Sequence, residues 1–321
     1  SNHLVLYSNP LQKLQALGVL RSTVKGVNDM ADTAIPWYAR KSTRETIGKN
    51  IAYIVLVALS LVVSMPFFWI ISSSLKSEAE IFLFPPKWIP SRFLWRNYPE
   101  ALTSFAFGRA LKNTITITGT VIVGRLLSTS LAAFAFARLR FPLRNTLFML
   151  VISTMMLPYQ VTLIPSFILF YKLGWIDSFR PLTIPAFLGA APFHIFLLRQ
   201  FFLSVPMELD EAARLDGCST WQIYWRIILP LSKPALATVI IFTFLEQWND
   251  FLGPLIYLNS PEKHTLSIAL NYFRTGAAYG PSKTWAHLMV VSLVVMTPCL
   301  LVFFFAQKYF IQGVVVTGLK G

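Results

Sequence analysis

Residues 204–234 read SVPMELDEAARLDGCSTWQIYWRIILPLSKP, and they form the most polar long run in the second half of a very apolar chain. Ser204 and Pro206 predict the start of a short helix, because serine suits the N-cap and proline suits the first helical turn. Negative charge is favoured at the N-terminal end of a helix dipole. Acidic residues follow at this point, namely Glu208, Asp210 and Glu211. The stretch is therefore expected to open with a charged helix.

A tight turn and a second helix are predicted further along the same stretch. Gly217 occupies the position where a residue in the left-handed conformation ends a helix. Ser219 and Gln222 have the spacing of a capping box, which starts a new helix, and Pro230 is expected to end or kink it. The prediction is two short helices joined at a glycine turn between two membrane spans. Such a unit presents a small rigid surface to a partner.

This spacing resembles the EAA loop of ABC importer permeases. The resemblance is carried by Glu211-Ala212-Ala213, Gly217 and Ile227-Ile228-Leu229-Pro230. In that family the loop is a cytoplasmic coupling helix that docks on an ATPase subunit, and the resemblance implies this role for residues 204–233. The residues expected to couple to the ATPase are Glu208, Glu211, Ala212, Ala213, Asp216, Gly217, Ile227 and Pro230. The alternative is an ordinary amphipathic connector between membrane helices.

The composition is that of an integral membrane protein. The chain has 321 residues, of which 55% are hydrophobic and only 13% are charged. Its formal charge of +14 fits the excess of Lys and Arg in cytoplasmic loops, and no basic stripe with interleaved aromatics indicates nucleic acid. Cys218 and Cys299 are far apart in sequence, so neither a disulfide nor a metal site is expected.

Long apolar runs predict an all-α membrane protein with six transmembrane helices. Each run can cross a hydrocarbon core of about 30 Å at about 1.5 Å per residue. The predicted spans are residues 50–74, 111–137, 145–173, 181–203, 234–257 and 287–307. Together they form a transmembrane domain of residues 50–310, between a tail of residues 1–49 and a tail of residues 311–321. The resemblance implies the type I ABC importer permease fold.

Three arginines predict the orientation in the membrane. Arg138, Arg140 and Arg144 crowd the short loop after the second span, and such a cluster marks a cytoplasmic loop. By parity, residues 204–233 and both chain termini are then cytoplasmic as well. The resemblance implies the cytoplasmic (inner) membrane of a bacterium or archaeon.

Two polar segments within the spans are candidates for the solute pathway. Gln160 lies between two prolines of the third span, and prolines are tolerated where a helix lines a cavity. Trp248, Asn249 and Asp250 resemble the W-N-D-F segment of sugar-type permeases, and aromatic and polar groups together suit a sugar. The alternative is that these side chains only hold helices together or form an outer gate.

Two further ionisable residues within the spans have roles that the sequence leaves open. Arg125 either forms a structural pair with a neighbouring helix or partner, or has a functional role, because a charge at that depth faces a cavity, pairs or snorkels. His194 is expected to be a satisfied histidine between helices rather than a ligand or proton relay.

The C-terminal end resembles that of the MalG-like carbohydrate permeases. Gln312-Gly313 and Gly318-Leu319-Lys320-Gly321 carry this resemblance, although Val314-Val315-Val316 replaces the smaller, more polar residues usual there. In that family the tail reaches toward the ATPase dimer interface. The resemblance therefore implies ATPase contacts for Gln312, Gly313 and Lys320.

The chain is expected to be a transport subunit and not an enzyme. It has no G-x-x-x-x-G-K-[ST] loop, so it binds no cofactor itself, and ATP and Mg are expected on a partner ATPase. The family architecture implies two ATPase subunits or an ATPase homodimer, a second permease, an external solute-binding protein and the lipid bilayer. The expected solute is a sugar or oligosaccharide. Glycerol phosphate, another polar solute, or a non-transporting scaffold or receptor is the alternative.

Overall fold

The structure is a computed structural model that describes the backbone of Gly18 and of residues 41–275 and 285–318. The chain divides into two units, residues 1–68 and residues 69–321. Every regular element in the described part is helical, which confirms the predicted all-α class. The predicted N-terminal tail lies mostly outside the described residues.

The helices of the described residues are numbered in chain order. They begin with α1 (Lys41–Ser74), α2 (Glu78–Ile81), α3 (Asn97–Thr103), α4 (Phe107–Arg138), α5 (Arg144–Ser153), α6 (Tyr159–Lys172), α7 (Arg180–Phe187) and α8 (Pro192–Ser204). They continue with α9 (Glu208–Leu215), α10 (Thr220–Ile223), α11 (Leu229–Leu231), α12 (Lys233–Trp248), α13 (Leu252–Tyr257), α14 (Leu266–Thr275) and α15 (Trp285–Gly318). Short 3₁₀ or π turns occupy Thr154–Met156, Tyr224–Ile228 and Pro261–Lys263.

Four described helical segments are long and apolar enough to cross a membrane, or up to six if two bent pairs each form one span. The four segments are Glu45–Ser74, Phe107–Arg138, Arg180–Ser204 and Trp285–Gln307. The bent pairs are Arg144–Met156 with Tyr159–Lys172, at 100°, and Thr220–Leu231 with Lys233–Trp248, at 76°. Helix α1 lies partly in the first unit and continues through Pro66.

The third and fifth spans differ from the predicted continuous helices. Residues 145–173 break before Pro158, because the residue preceding a proline is driven out of the helical region, and Leu157 is extended. The helix expected to reach Tyr257 ends at Trp248, and the short α13 follows after a break. The fourth span is also interrupted, at residues 188–191, where Gly189 has a φ of +77°.

Helix α4 is the centre of the second unit and packs against α7, α8 and α12. A small residue permits one close approach, because a Cβ on Gly124 would lie 2.8 Å from the Phe187 ring. With 32 residues, α4 is about 48 Å long and reaches both ends of the bundle.

The N-terminal end of α4 is hydrogen-bonded to the segment that precedes α14. Asn113 donates from Nδ2 to the carbonyl oxygens of Glu262, at 2.9 Å, and His264, at 3.0 Å. Thr114 accepts the Leu266 amide at 2.9 Å. Asp177, before α7, binds the same region through Lys263 Nζ, at 2.7 Å. These contacts order the connection between the predicted fifth and sixth spans.

The last helix is longer than the predicted sixth span. Helix α15 continues to Gly318, so Gln312 and Gly313 belong to a helix rather than to a separate tail. Apolar residues replace the usual small polar ones at 314–316, and they extend the helical apolar run. Lys320 lies outside the described residues.

Candidate functional site

The candidate site is the coupling stretch, residues 204–233, and its first helix begins later than predicted. Ser204 is the last residue of α8 and donates its hydroxyl back to the Phe201 carbonyl at 2.7 Å, so it caps nothing. Pro206 holds Val205 in an extended conformation, and α9 starts only at Glu208. The predicted start at Ser204 is therefore wrong, because α8 continues through it.

The predicted glycine turn is confirmed. Gly217 has a φ of +79°, and its amide donates to the Arg214 carbonyl at 3.0 Å. The Cys218 amide donates to the Ala213 carbonyl at 2.8 Å. These two bonds form a Schellman motif, which satisfies carbonyls left free at the end of α9.

The predicted capping box is also confirmed. The Ser219 amide donates to Gln222 Oε1 at 2.7 Å, and the Gln222 amide donates to Ser219 Oγ at 3.3 Å. The helix that follows includes a π turn, in which the Leu229 amide bonds to the Tyr224 carbonyl, and it passes through Pro230. The 76° bend comes just afterwards, between Leu231 and Lys233.

The residues expected to face an ATPase divide into an outer and an inner set. The exposed ones are Glu208, Glu211, Ala212, Asp216, Gly217 and Pro230. Ala213 is buried in the core beneath the stretch, and Ile227 packs against that core. These two therefore hold the stretch in place rather than forming its surface.

The stretch also exposes large apolar side chains that were not among the predicted contact residues. Leu215 is 90% exposed, Trp221 is 57% exposed and Trp225 is 46% exposed. Large exposed apolar residues on a polar connector are candidates for contact with a partner. Their position in the sequence, on either side of the glycine turn, could have indicated that they are exposed.

A buried arginine connects the end of α4 to the coupling stretch. Arg138 donates from Nη2 to the carbonyls of Phe202, at 2.8 Å, and Val205, at 2.7 Å, and its Nε lies 3.8 Å from Asp210 Oδ2. Burial raises the pKa of Asp210, whereas the nearby Arg138 and Arg214 act to lower it. Arg138 was predicted to lie in a short loop with Arg140 and Arg144, but it is the last residue of α4 and its side chain is 1% exposed.

The second half of the stretch is attached to α4 by a separate contact. The hydroxyls of Tyr224 and Ser130 lie 2.8 Å apart and are buried. Around them lies one apolar core cluster drawn from α4, α8, the stretch and α12. It consists of Ala133, Phe134, Ala137, Leu198, Phe202, Val205, Ala213, Ile223, Tyr224, Ile228, Ala235 and Val239.

The open question about Arg125 is answered by a pair with a neighbouring helix. Its guanidinium binds the Glu246 carboxylate of α12 with two bonds, of 2.5 and 2.7 Å. The Arg125 side chain is 11% exposed and that of Glu246 is 53% exposed. A half-exposed carboxylate within a membrane span requires water or another protein beside it. His194 is buried, and its Nε2 has no hydrogen-bond partner in the described part of the chain, contrary to expectation.

The pathway candidates are not all available to a solute. Trp248 is buried, donates from Nε1 to the Val295 carbonyl at 2.9 Å and stacks on Phe244. Asp250 accepts the Gly253 amide at 3.1 Å, at the start of α13. These two side chains organise the break after α12. Gln160, on α6, is exposed; Asn249, just after the end of α12, is also exposed, but its Nδ2 donates to the Leu245 carbonyl at 2.7 Å.

Comparison with known proteins gives the family. The model for the binding-protein-dependent transport system inner membrane component matches residues 126–316. The sn-glycerol-3-phosphate transport system permease protein UgpE of Rhizobium meliloti is 32% identical over 282 residues, covering 85% of this chain and 98% of the relative. A putative ABC transporter permease protein of Caldicellulosiruptor is 34% identical, covering 84% and 96%.

A solved structure has the same fold. A chain of a bacterial ABC transporter that imports the acidic polysaccharide alginate superposes with a TM-score of 0.75 at 26% identity, covering 86% of this chain and 100% of that one. The family match spans more than half of the chain and includes all of the coupling stretch. The chain therefore belongs to the inner membrane components of binding-protein-dependent transport systems: it is a multi-pass permease subunit of an ABC importer and not its ATPase.

Proposed function

We propose that this chain is one of two permease subunits that move a neutral, hydroxyl-rich solute, such as a sugar or oligosaccharide, by alternating access. Residues 204–233 dock on a cytoplasmic ATPase dimer, and an external binding protein delivers the solute. The observation that carries this proposal is the coupling stretch itself, a turn-locked helical unit with exposed apolar residues at its tip.

The exposed surface of the stretch has the chemistry of a docking site. Leu215 stands at the tip, and the exposed carboxylates of Glu211 and Asp216 lie near it. An apolar centre with a charged rim is typical of protein interfaces. Ala213 and Tyr224 anchor the stretch from below, so that force applied to the tip reaches α4 and α8.

The solute class follows from the polar face on α12. Glu246 and Asn249 are three residues apart and share that face. The cation at this depth, Arg125, is already neutralised by Glu246. Carboxylate and amide groups form hydrogen bonds with hydroxyls, and on this face the charge of Arg125 is balanced by Glu246, so the pair offers no excess positive charge to an anionic solute.

An aromatic wall lies beside this face. Phe193, at the start of α8, is 42% exposed, and its ring centroid is 5.9 Å from that of Phe242, one turn before Glu246. Sugar rings bind aromatic faces through their apolar C–H surfaces. We therefore assign the aromatic contact to Phe193 rather than to the buried Trp248, and we keep Asn249 and Gln160 as polar candidates.

The orientation and the remaining contacts follow from the docking. Arg140 and Arg144 lie close to the coupling end of α4, and positive charge favours the cytoplasmic side. Both chain termini are then cytoplasmic. The end of α15, with Gln312 and Gly313, is proposed to contact the ATPase subunits, together with Lys320.

A second candidate solute is sn-glycerol-3-phosphate. The names of relatives at 30–33% identity favour it, since several of them are permeases of that transport system. An anion would require cations from the second permease, because the Arg125 side chain is occupied by Glu246. The charge of the solute therefore separates the two candidates.

The experiment is to purify the tagged chain gently with its partners and to reconstitute the complex in liposomes. We expect an ATPase and a second permease to co-purify, and neutral oligosaccharides with the binding protein to stimulate ATP hydrolysis. Glu246→Gln should reduce this stimulation, whereas the exposed Glu262→Gln should not. Recovery of the chain alone would refute the docking, and stimulation by sn-glycerol-3-phosphate alone would refute the neutral solute.

A further inference from the structure

We propose that Arg138 and Asp210 form a two-position latch that transmits movement of α9 to α4 and α8 during the transport cycle. Arg138 is a positioning residue: it acts through the coupling stretch and touches no solute. The inference rests on the proposed docking of residues 204–233 on the ATPase.

The first reason is that Arg138 joins three elements. It is the last residue of α4, and it binds the Phe202 carbonyl in the last turn of α8 and the Val205 carbonyl just beyond it. Carbonyls at a helix end lack intrahelical partners and carry partial negative charge, so a guanidinium stabilises them. Arg138 therefore holds the ends of α4 and α8 together; its Nη1 donates to Met207 Sδ, just before α9, and its Nε faces Asp210 of α9.

The second reason is that the bond to α9 is incomplete. The distance of 3.8 Å between Arg138 Nε and Asp210 Oδ2 exceeds that of a hydrogen bond. Arg138 Nε and Asp210 Oδ1 are both buried without a hydrogen-bond partner in the described part of the chain. A charge-assisted bond would form at about 2.8 Å, so a shift of about 1 Å would satisfy a group that now costs free energy.

The third reason is that the two halves of the stretch are held differently: α9 packs through Ala213 and meets Arg138, whereas the second half is also joined to α4 by a hydrogen bond. Tyr224 is bound to Ser130 of α4, and its ring packs on Phe134, which holds the second half in place. Helix α9 is attached to α8 through Val205, Pro206 and Met207, which belong to no helix. Docking on the exposed Leu215 would tilt α9 about this connection and open or close the gap between Arg138 and Asp210.

The test compares two neighbouring arginines in the reconstituted importer. Lysine at position 138 cannot hold two carbonyls and a carboxylate together, because it lacks the planar fork of donors. We expect Arg138→Lys to raise the number of ATP molecules hydrolysed per solute moved about tenfold, with the ATPase still bound. Arg140→Lys, which changes an exposed arginine two residues away, should leave this ratio within about twofold of wild type.

Asp210→Asn provides a second reading if Arg138→Lys does not assemble. This change keeps the shape of the side chain and removes its charge. We expect it to raise the number of ATP molecules hydrolysed per solute moved by about threefold or more. An unchanged ratio in an assembled Arg138→Lys importer would overturn the latch. Failure of both variants to assemble would also overturn it, because the pair would then serve folding alone.

A cross-link separates failure of the latch from failure of the docking. Cysteine in place of the exposed Leu215 should cross-link to the ATPase in the wild-type background and in Arg138→Lys. If no cross-link forms in either, the proposed docking is wrong. If the cross-link forms and the ATP-to-solute ratio does not change, the docking stands and the latch is wrong.

Discussion

Replacement of Gly217 by valine is expected to abolish transport while the protein remains in the membrane. Gly217 holds a φ of +79°, which places the Cys218 amide within 2.8 Å of the Ala213 carbonyl and closes the turn after α9. A Cβ at this position would meet no heavy atom within 4 Å. The effect of a substitution therefore comes from backbone conformation and not from steric overlap within the chain.

The magnitude follows from that conformation. A residue with a Cβ costs about 1–2 kcal/mol in the left-handed region, and a β-branched residue is disfavoured most strongly there. About 2 kcal/mol lowers the equilibrium constant between the native turn and other conformations about 30-fold. If only the native turn docks, the apparent affinity for the ATPase falls with the fraction that keeps this turn, by up to the same factor. Asparagine tolerates the left-handed region and is the matched control.

The assay measures ATPase binding by the purified permease and solute uptake by cells, each normalised to the permease in the membrane. We expect ATPase binding and solute uptake to be slightly lower in Gly217→Asn than in wild type, and much lower in Gly217→Val. Normal uptake by Gly217→Val would refute the coupling role of this turn. Equal damage from asparagine and valine would instead show that the ATPase requires an empty space at position 217.

The other predictions concern a membrane pair, a helix cap and an acidic group. Glu246→Ala should lower the thermal unfolding midpoint of the complex in detergent, because it leaves the guanidinium of Arg125 without its partner, at a cost of about 1–3 kcal/mol. The double variant with Arg125→Met should recover part of this loss. An unfolding midpoint that does not recover would contradict the pairing. Ser219→Ala should cost about 1 kcal/mol and speed hydrogen exchange at the Gln222 amide, whereas Ser204→Ala should not affect that amide. Hydrogen bonds from Lys263 and Ser260 hold the pKa of Asp177 well below its usual value of 3.8, so its stabilising effect is complete above that value and is lost as the pH falls through the lower folded-state pKa. Asp177→Asn should therefore lower the midpoint equally from about pH 5 to pH 8 and remove part of the acid sensitivity; a difference that varies across this range would refute the assignment.

The local features of the coupling stretch could be predicted because each depends on neighbours in sequence. The left-handed turn at Gly217 and the capping box of Ser219 and Gln222 are closed by residues within a few positions of one another. The start of α9 could not be placed in the same way. Whether Ser204 caps a new helix or ends the previous one depends on how far α8 stays packed on α4.

The candidate pathway was less predictable because it depends on which helix face turns inward. Trp248, Asn249 and Asp250 are consecutive, yet one is buried, one is exposed and one binds a backbone amide. Glu246 lies two residues before this segment and carries no local signal of its own. Its importance appeared when the fold brought it to Arg125, which is 121 positions away in the chain.

The amino-acid sequence by itself determined the all-helical membrane class and the two short helices with their glycine turn in residues 204–233. The membrane class follows from the length of the apolar segments, and the turn follows from hydrogen bonds between residues close in sequence. Both are independent of how the helices pack together. The tertiary structure alone decided that Arg138 is buried against Asp210, that Arg125 binds Glu246, that the third span bends by 100°, and that the helix of the fifth span ends at Trp248. Such outcomes depend on which helices pack together, because a buried charge is tolerated only where the fold supplies its partner.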